Sequence, residues 1–380
     1  MTFTNMRPCP SSGCPPPEEA SAGAVLTIDL GAVRANYRLL KARLGGGACA
    51  GVVKADGYGL GAAPIAEALR REGCDTFFVA LAEEGIALRQ VLGEAPSIFI
   101  LNGVPPGAEA ACAAAGLTPV LNSAEQVAAW RQTARRLERR LKAALQVDSG
   151  MARLGMMAGE VERLAADRHG LDGIDVVLVM SHLACADEPG HPANKAQLLE
   201  FRRLSAMLPA APASLANSSG IFLGADWQFD LARPGAALYG INPTPDAENP
   251  MRPVVRLDAK VIQTREVGAG AGVGYGHAYR TAGALRTATI SLGYADGWQR
   301  HNAAAAFVDG RRLPFVGRVS MDSIILDISA VPAGQLKAGD LVELIGPSQS
   351  VDQVAVGGGT IGYEVLTGLG SRFFRRYVDQ

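Results

Sequence analysis

The stretch that decides the fold is CAGVVKADGYGLGAAPIAEALRREG, residues 49–73. It opens with a short apolar run ending at Lys54, passes through a glycine-rich turn, and closes with apolar residues at helical spacing. Such a run predicts a strand that is buried on both faces, and the spacing after it predicts a helix packed on that strand. The stretch therefore predicts one strand–helix unit of a parallel sheet.

The same alternation continues along the chain at intervals of roughly 20 to 35 residues, with helical patterns such as 123–138 between the apolar runs. Asp29 is a candidate N-cap for a further helix that precedes the first of these strands. Eight units of this kind fit an α/β (β/α)8 barrel of ~250 residues, although a doubly wound open sheet is also compatible with the pattern. The predicted strands are 49–55, 76–82, 97–102, 117–122, 143–148, 175–182, 213–218 and 231–240.

The texture of the sequence changes after the last of these runs. INPTPDAENPMRP, residues 241–253, reads as a linker because it is rich in proline. Short alternating runs joined by Gly and Asp turns follow, which predict a mostly antiparallel C-terminal β domain. We therefore expect a disordered leader over residues 1–23, a barrel over 24–248 and a β domain over 249–380.

Composition narrows the class of protein. The 380 residues carry a formal net charge of -1, with 48% hydrophobic and 19% charged residues. The balanced charge argues against nucleic acid as a partner, and the apolar content argues against general disorder. No apolar run reaches the ~18 residues that span a bilayer, and the leader has no secretory h-region. The six cysteines form no CxxC pair, so we expect reduced thiols, no metal site and a cytoplasmic protein.

Polar residues follow several of the predicted strands. In a parallel barrel the carboxyl ends of the strands form the site, so these residues are expected on one rim. Any one of them alone favours a structural explanation, whereas together they favour a site. They are Lys54, Arg153, His182, Asn217, Ser218 and Arg233.

Lys54 carries the most chemistry of this group. An amine at an apolar barrel mouth loses solvation, which lowers its pKa and makes it a usable nucleophile or base. Such a lysine forms a Schiff base with a carbonyl cofactor or substrate. The alternative is a strand-end lysine that extends to solvent and pairs with a carboxylate.

VVKADGYGLG resembles the pyridoxal-phosphate lysine motif of bacterial alanine racemases. Eight further stretches resemble that family in order, over both predicted domains. They are VDSGMARLG, MSHLACADEPGHP, LANSSG, ARPGAALYG, VGYGHAY, SLGYADGW, VGRVSMDSIILDI and TIGYEVLTGLGSR.

The resemblance implies an isomerase that interconverts L- and D-alanine with pyridoxal 5'-phosphate. Lys54 would bind the cofactor and serve as one base, and Tyr275 would be the second base on the opposite face. His182 and Arg233 would supply positive charge to the phenolate, and Arg233 would also meet the pyridine nitrogen. The implied cofactor-binding residues are Lys54, Tyr58, Asn217, Ser218, Arg233, Gly235, Ala236 and Tyr363.

The resemblance also implies a head-to-tail homodimer with composite active sites. Tyr275, Met321 and Asp322 would reach the partner's barrel, and Arg153 would contact the substrate carboxylate. Many members of the family have a carbamylated lysine seven residues before that arginine, whereas this chain has Gln146. We expect either an anion such as chloride to replace the carbamate or Arg153 to rely on neutral hydrogen bonds.

Other functions stay open at this level. The same motifs fit a serine or broad-specificity racemase, and they do not separate D-alanine supply for peptidoglycan from alanine catabolism. A pyridoxal-phosphate carrier without turnover would resemble the barrel alone, so the β domain argues against it. Basic amino-acid decarboxylases place a catalytic cysteine in their C-terminal domain, and residues 249–380 contain none.

Overall fold

The computed structural model describes residues 18–379, so the leader residues with Cys9 and Cys14 lie outside the described part. The chain forms two compact units. One consists of residues 30–252, and the other joins the segment ending at Asp29 to the segment beginning at Pro253. The sequence places the start of the barrel six residues earlier, at residue 24, and its end at residue 248.

The unit of residues 30–252 is built on parallel strands that lie side by side in chain order. The strands from β3 to β9 form one sheet, and β2 pairs with β10 in parallel. The strands are β2 (Ala48–Cys49), β3 (Gly51–Val52), β4 (Thr76–Val79), β5 (Ser97–Ile100), β6 (Thr118–Leu121), β7 (Leu141–Gln146), β8 (Ile174–Met180), β9 (Ala213–Ser214) and β10 (Leu231–Ala232).

The segment around β10 closes this sheet into a barrel. On one side the Arg233 N–H donates to the Ala216 carbonyl at 2.9 Å, just after β9. On the other side the Val52 N–H, in β3, donates to the Pro234 carbonyl at 3.1 Å. The two edges of the seven-stranded sheet are thus joined through an eighth strand. The predicted (β/α)8 barrel is confirmed, and the open-sheet alternative is wrong.

Helices connect the strands and bury their apolar faces. In the helix that follows the Lys54 turn, Ile65, Ala66 and Leu69 are buried at helical spacing. Ser123 caps another helix, since its side chain accepts a hydrogen bond from the Gln126 N–H. The helices are Leu30–Arg43, Ala62–Arg71, Ala82–Leu92, Glu109–Ala114, Ala124–Arg136, Ala158–Ala166, Pro192–Ser205 and Ala225–Gln228, with 3₁₀ turns at Ser219–Leu223 and Ala236–Tyr239.

The second unit is mainly an antiparallel sheet, as predicted. Two short helices, Val351–Gly357 and Gly362–Gly368, precede its last strand. Its strands are β1 (Ala24–Asp29), β11 (Val255–Val267), β12 (Gly272–Val273), β13 (Tyr279–Arg280), β14 (Leu285–Ile290), β15 (Ala305–Val308), β16 (Arg311–Pro314), β17 (Ile324–Asp327), β18 (Leu341–Ile345) and β19 (Phe374–Val378).

Strand β1 lies between β11 and β19 in this sheet, antiparallel to the first and parallel to the second. The segment before it, which the sequence assigns to the leader, is held by the same unit. The Lys260 ammonium donates to the carbonyls of Glu19 and Ala20, both at 2.7 Å. An alternating strand carries no mark of which sheet it joins, so the sequence alone could not assign it. Within residues 18–379 no helix is long and apolar enough to cross a membrane.

Candidate active site

The turn that follows Lys54 has an unusual backbone. Ala55, Asp56, Gly57 and Tyr58 all have left-handed conformations, with φ of 52°, 55°, 62° and 56°. A residue with a Cβ at such an angle costs of order 1–3 kcal/mol, and it persists only where its surroundings hold it. Three of these four residues carry a Cβ, so the backbone is strained directly after Lys54.

Carboxylates hold both ends of this turn. Glu84 accepts the Ala55 N–H at 2.7 Å, and Asp56 accepts the Ala62 N–H at 2.8 Å, which starts the next helix. Within the turn the Gly59 N–H donates to the Ala55 carbonyl at 2.8 Å. These hydrogen bonds hold the turn in its strained conformation.

Lys54 lies half-buried at the carboxyl end of β3, where the sequence places it. Burial lowers the pKa of its amine, the nearby Arg153 cation lowers it further, and the Glu84 carboxylate partly opposes both effects. The expected lowering of this pKa is confirmed. A lysine in this state holds a larger neutral fraction near pH 7 than one in water, which is what a nucleophile or base requires.

Arg233 is buried, with 4% of its surface exposed. One of its terminal nitrogens donates to the Ser181 carbonyl at 2.5 Å, and the other donates to the Ser214 hydroxyl. Within residues 18–379 no carboxylate forms an ion pair with it, and burial lowers the pKa of its guanidinium to about 9. It is therefore a buried cation at neutral pH for which the described residues supply no counter-charge, an arrangement that is costly unless a ligand compensates.

His182 lies beside Arg233, with 3.5 Å between its Nδ1 atom and an arginine nitrogen. Burial lowers the pKa of the imidazole to about 3, and the cations Arg233, Arg153 and Lys54 act in the same direction. His182 is thus neutral near pH 7. Burial and the neighbouring cations therefore argue against His182 as a source of positive charge, and the expectation that Arg233 supplies this charge to a phenolate stays a prediction.

A second cluster lies where the chain passes from β9 to β10. The Ser218 hydroxyl accepts the N–H groups of Gly235 at 3.0 Å and Ala237 at 3.2 Å. Gly235 faces the ring of Tyr58, and a Cβ at this glycine would overlap the Tyr58 hydroxyl. The structure therefore brings Tyr58, Ser218, Gly235 and the adjoining Ala236 together, as the sequence predicts for a phosphate cradle.

Asn217 adjoins this cluster but is engaged locally. Its side-chain oxygen accepts the Gly220 N–H at 2.9 Å, and its carbonyl accepts the Ile221 N–H at 3.2 Å. Asn217 thereby starts the 3₁₀ turn of residues 219–223. This contact fixes the backbone that presents Ser218.

Arg153 lies in an exposed loop that follows β7. Gln146, buried at the end of that strand, donates from Nε2 to the Leu154 carbonyl at 3.2 Å. The amide thus holds the backbone beside Arg153 through a neutral hydrogen bond. The preceding Ala152 has a left-handed φ of 54°, which marks a tight turn at this point.

The remaining predicted site residues lie in the second unit. Tyr275 is at the tip of the β12–β13 hairpin with 68% of its surface exposed, and Met321 is 53% exposed. Asp322 accepts from Arg372 at 2.7 Å, and Arg372 also grips the buried Asp296 through two bonds. The exposed aspartate is thereby tied to a buried one.

Tyr363 is 37% exposed at the start of the helix Gly362–Gly368. Among residues 18–379 no cluster of three or more His, Cys, Asp or Glu side chains is arranged to hold a metal ion.

Sequence reasoning missed several residues that hold the site. Gln197 bonds to both sides of the His182 loop, at the Ala184 N–H and the His182 carbonyl. Glu84 was also missed, although an acidic residue at the third position of a helix is a recognised N-terminal signal. For Gln197 no sequence signal was available, since its partners are thirteen and fifteen residues away.

The fold and site define a class first: a (β/α)8 barrel with ionisable side chains at the carboxyl ends of its strands, joined to a β unit. Family models then match almost the whole described chain. Residues 28–243 match the alanine racemase N-terminal domain and residues 254–377 match the alanine racemase C-terminal domain. The chain belongs to the alanine racemase family.

Individual relatives agree with this assignment. The chain is 67% identical to a catabolic alanine racemase of Mesorhizobium japonicum, over 96% of this chain and 95% of the relative. It is 52% identical to a catabolic alanine racemase of Agrobacterium fabrum, over 95% and 94%. The crystal structure of alanine racemase from Bartonella henselae with covalently bound pyridoxal phosphate superposes with a TM-score of 0.90 at 43% identity, over 94% of this chain and 100% of that one.

Proposed function

We propose that this protein is an alanine racemase that interconverts L- and D-alanine with pyridoxal 5'-phosphate. The observation that carries the proposal is the presence on one barrel rim of Lys54, an amine of lowered pKa, and Arg233, a buried cation that forms no ion pair within residues 18–379. Family membership over both units supports the same activity. No feature of the described residues favours a carrier or a broader racemase.

The residues present fit the cofactor. A phosphate requires donors and close backbone approach. The Ser218 oxygen accepts the Gly235 N–H, which leaves the hydroxyl proton of Ser218 to donate, and Gly235 keeps the backbone free of a Cβ beside Tyr58 and Ala236. Tyr363 and Asn217 complete this set in the proposal. Lys54 would bind the cofactor through its amine, and the cofactor, when bound, would supply an electron sink at the reacting carbon of the substrate.

In the proposed reaction two bases, Lys54 and Tyr275, move the α-proton on opposite faces of the substrate. Lys54 takes and returns the α-proton on one face, which its lowered pKa permits near neutral pH. Tyr275 acts on the other face. Arg233, with a pKa of about 9, is protonated at neutral pH and would face the cofactor ring as a donor that cannot accept a proton, which would disfavour side reactions.

Substrate recognition requires a cation for the alanine carboxylate. Arg153 supplies it, with Met321 and Asp322 restricting the space around a small side chain. The neutral alternative to the carbamylated lysine is supported by the hydrogen bond from Gln146 to the Leu154 carbonyl, which holds the backbone next to Arg153. Gln146→Ala should raise the KM for alanine, and rates that depend on chloride would favour the anion instead.

We further propose a homodimer in which Tyr275, Met321 and Asp322 complete the partner's site. The support is their exposure, because a catalytic phenol 68% open to solvent lacks the dry surroundings that catalysis requires. Mixing Lys54→Ala with Tyr275→Phe protein tests this directly. In mixed dimers one site regains both bases, so activity should return to about a quarter of wild type for random pairing. Sites within one chain would recover nothing.

The activity itself is tested by racemisation rates across a panel of L-amino acids with added cofactor. Lys54→Ala is the test variant, and Lys195→Ala, at an exposed helix position, is the matched control. Turnover of alanine alone that is lost only in the Lys54 variant supports the proposal. Comparable rates with serine, lysine or arginine would indicate a broad-specificity enzyme, and cofactor binding without turnover would indicate a carrier.

The biological role is proposed to be alanine catabolism in the cytoplasm rather than supply of peptidoglycan precursors. The support is the catabolic designation of the two relatives from Mesorhizobium japonicum and Agrobacterium fabrum. Deletion in the source organism should impair growth on alanine as carbon source without creating a D-alanine requirement. Cell fractionation checks the location.

A further inference from the structure

Glu84 connects the Lys54 turn to the neighbouring strand. One of its carboxylate oxygens accepts the Ala55 N–H at 2.7 Å. The other accepts the N–H groups of Ala80 at 2.7 Å and Leu81 at 3.2 Å, immediately after β4. A single side chain thus joins the carboxyl ends of β3 and β4 at the position where Lys54 leaves the barrel.

The strain of the turn gives this contact its importance. Ala55 is the second residue of the turn Lys54–Tyr58, so its N–H has no carbonyl partner within that turn and needs an acceptor from elsewhere. Glu84 provides one with a full negative charge, which makes the bond stronger than a neutral one. Without Glu84 the ends of β3 and β4 lose their common acceptor. The turn after Lys54 is then expected to relax toward backbone angles of lower energy.

We propose that Glu84 is a positioning residue for the cofactor lysine: its carboxylate holds the left-handed turn after Lys54 in the geometry that presents the amine to the carbonyl carbon. This inference rests on the proposed function, in which Lys54 forms the Schiff base. Glu84 does not touch the cofactor in this role. It acts through the backbone of Ala55 and through its charge.

The surrounding charges agree with the proposal. The groups that set the Lys54 environment are the Arg153 cation, which lowers the pKa of the amine, and Glu84, which raises it. Removing the Glu84 charge should therefore lower this pKa further. The same substitution loosens the turn, so a change of pKa and a loss of reactivity should occur together.

The test measures how fast full-length protein, stripped of cofactor, forms the visible Schiff-base band with pyridoxal 5'-phosphate as a function of pH. Glu84→Gln should move the midpoint of the profile to lower pH, and it should reduce the plateau rate about 10-fold, the effect of ~1.4 kcal/mol. Glu84→Asp keeps the charge but shortens the reach, so it should restore the midpoint and not the plateau.

Glu83→Gln is the matched control, because Glu83 is an exposed neighbour on the same helix. If Glu84→Gln does not fold by circular dichroism, the Glu84→Asp plateau alone decides. Wild-type-like midpoint and plateau in the folded Glu84 variants would overturn the inference. Absence of the band in the wild type, or its persistence in Lys54→Ala, would instead overturn the proposed function.

Discussion

The barrel rim and the β12–β13 hairpin carry the two proposed bases in opposite states. Lys54 is half-buried on a strained turn whose ends are held by carboxylates. Tyr275 stands 68% exposed at the tip of a short hairpin. Contacts within the same chain fix the backbone after Lys54 and lower the pKa of its amine, whereas Tyr275 is largely exposed on its own chain. Substitutions at the barrel rim should therefore change both stability and catalysis, whereas substitutions at the hairpin should change catalysis alone.

The largest effect is expected at the hairpin, on activity alone. Tyr275→Phe removes a proton-transferring hydroxyl and should reduce racemisation on the order of 10²–10⁴-fold. Because the Tyr275 hydroxyl makes no hydrogen bond within residues 18–379 and Phe keeps the ring, the free energy of unfolding should change by less than about 0.5 kcal/mol. Chiral chromatography gives the rate and urea unfolding gives the stability. A clear drop in stability would show that the hairpin is not independent of its surroundings.

The next largest effect is expected at the barrel, where a substitution should lower activity and raise the free energy of unfolding. Arg233→Met removes a buried cation whose depressed pKa corresponds to several kcal/mol of desolvation cost. It also leaves the Ser181 carbonyl without its donor, a loss of about 1–3 kcal/mol. Without cofactor the variant should therefore be more stable by roughly 2 kcal/mol, while racemisation falls.

Urea unfolding of cofactor-free protein measures this change. Arg168→Met, at an exposed position, is the control and should leave stability unchanged. A less stable Arg233 variant would mean that the two arginine hydrogen bonds outweigh the desolvation of the charge.

The smallest effect concerns pH. The folded-state pKa of His182, about 3, lies below the ~6.5 of an unfolded chain, so protonation favours unfolding. The stability that this group contributes is complete above pH 6.5 and is lost as the pH falls, by up to about 2 kcal/mol near pH 5. Urea unfolding at pH 7.5 and 5 should show a smaller difference for His182→Gln than for wild type. An equal difference would place the acid sensitivity elsewhere.

The two regions also differ in how far the sequence predicts them. The apolar strands and their spacing predict the barrel, and the end of the first strand predicts a desolvated Lys54. The neutral state of His182 was not predictable, because it depends first on burial in the folded barrel and then on three cations that are distant in sequence. The left-handed turn was not predictable either, since among its four residues only Gly57 signals such a conformation.

The hairpin and its surroundings were predictable only through the family. Strands β12 and β13 are two residues each, too short to show alternation, and an exposed tyrosine between them has no chemical signature of its own. The link from Asp322 through Arg372 to Asp296 spans fifty and seventy-six residues of sequence. Long-range pairs of this kind follow from the tertiary structure and from no local pattern.

The position of β1 has a consequence for synthesis. Its partners are β11 and β19, and β19 begins only at Phe374, whereas β1 ends at Asp29. At ribosomal rates of ~5–20 residues per second, β1 waits on the order of tens of seconds for its last neighbour. The continuous segment 30–252 needs no such delay, so the barrel should fold first. The strand AVLTID meanwhile exposes unpaired edges that invite aggregation, which gives a chaperone a defined target during translation.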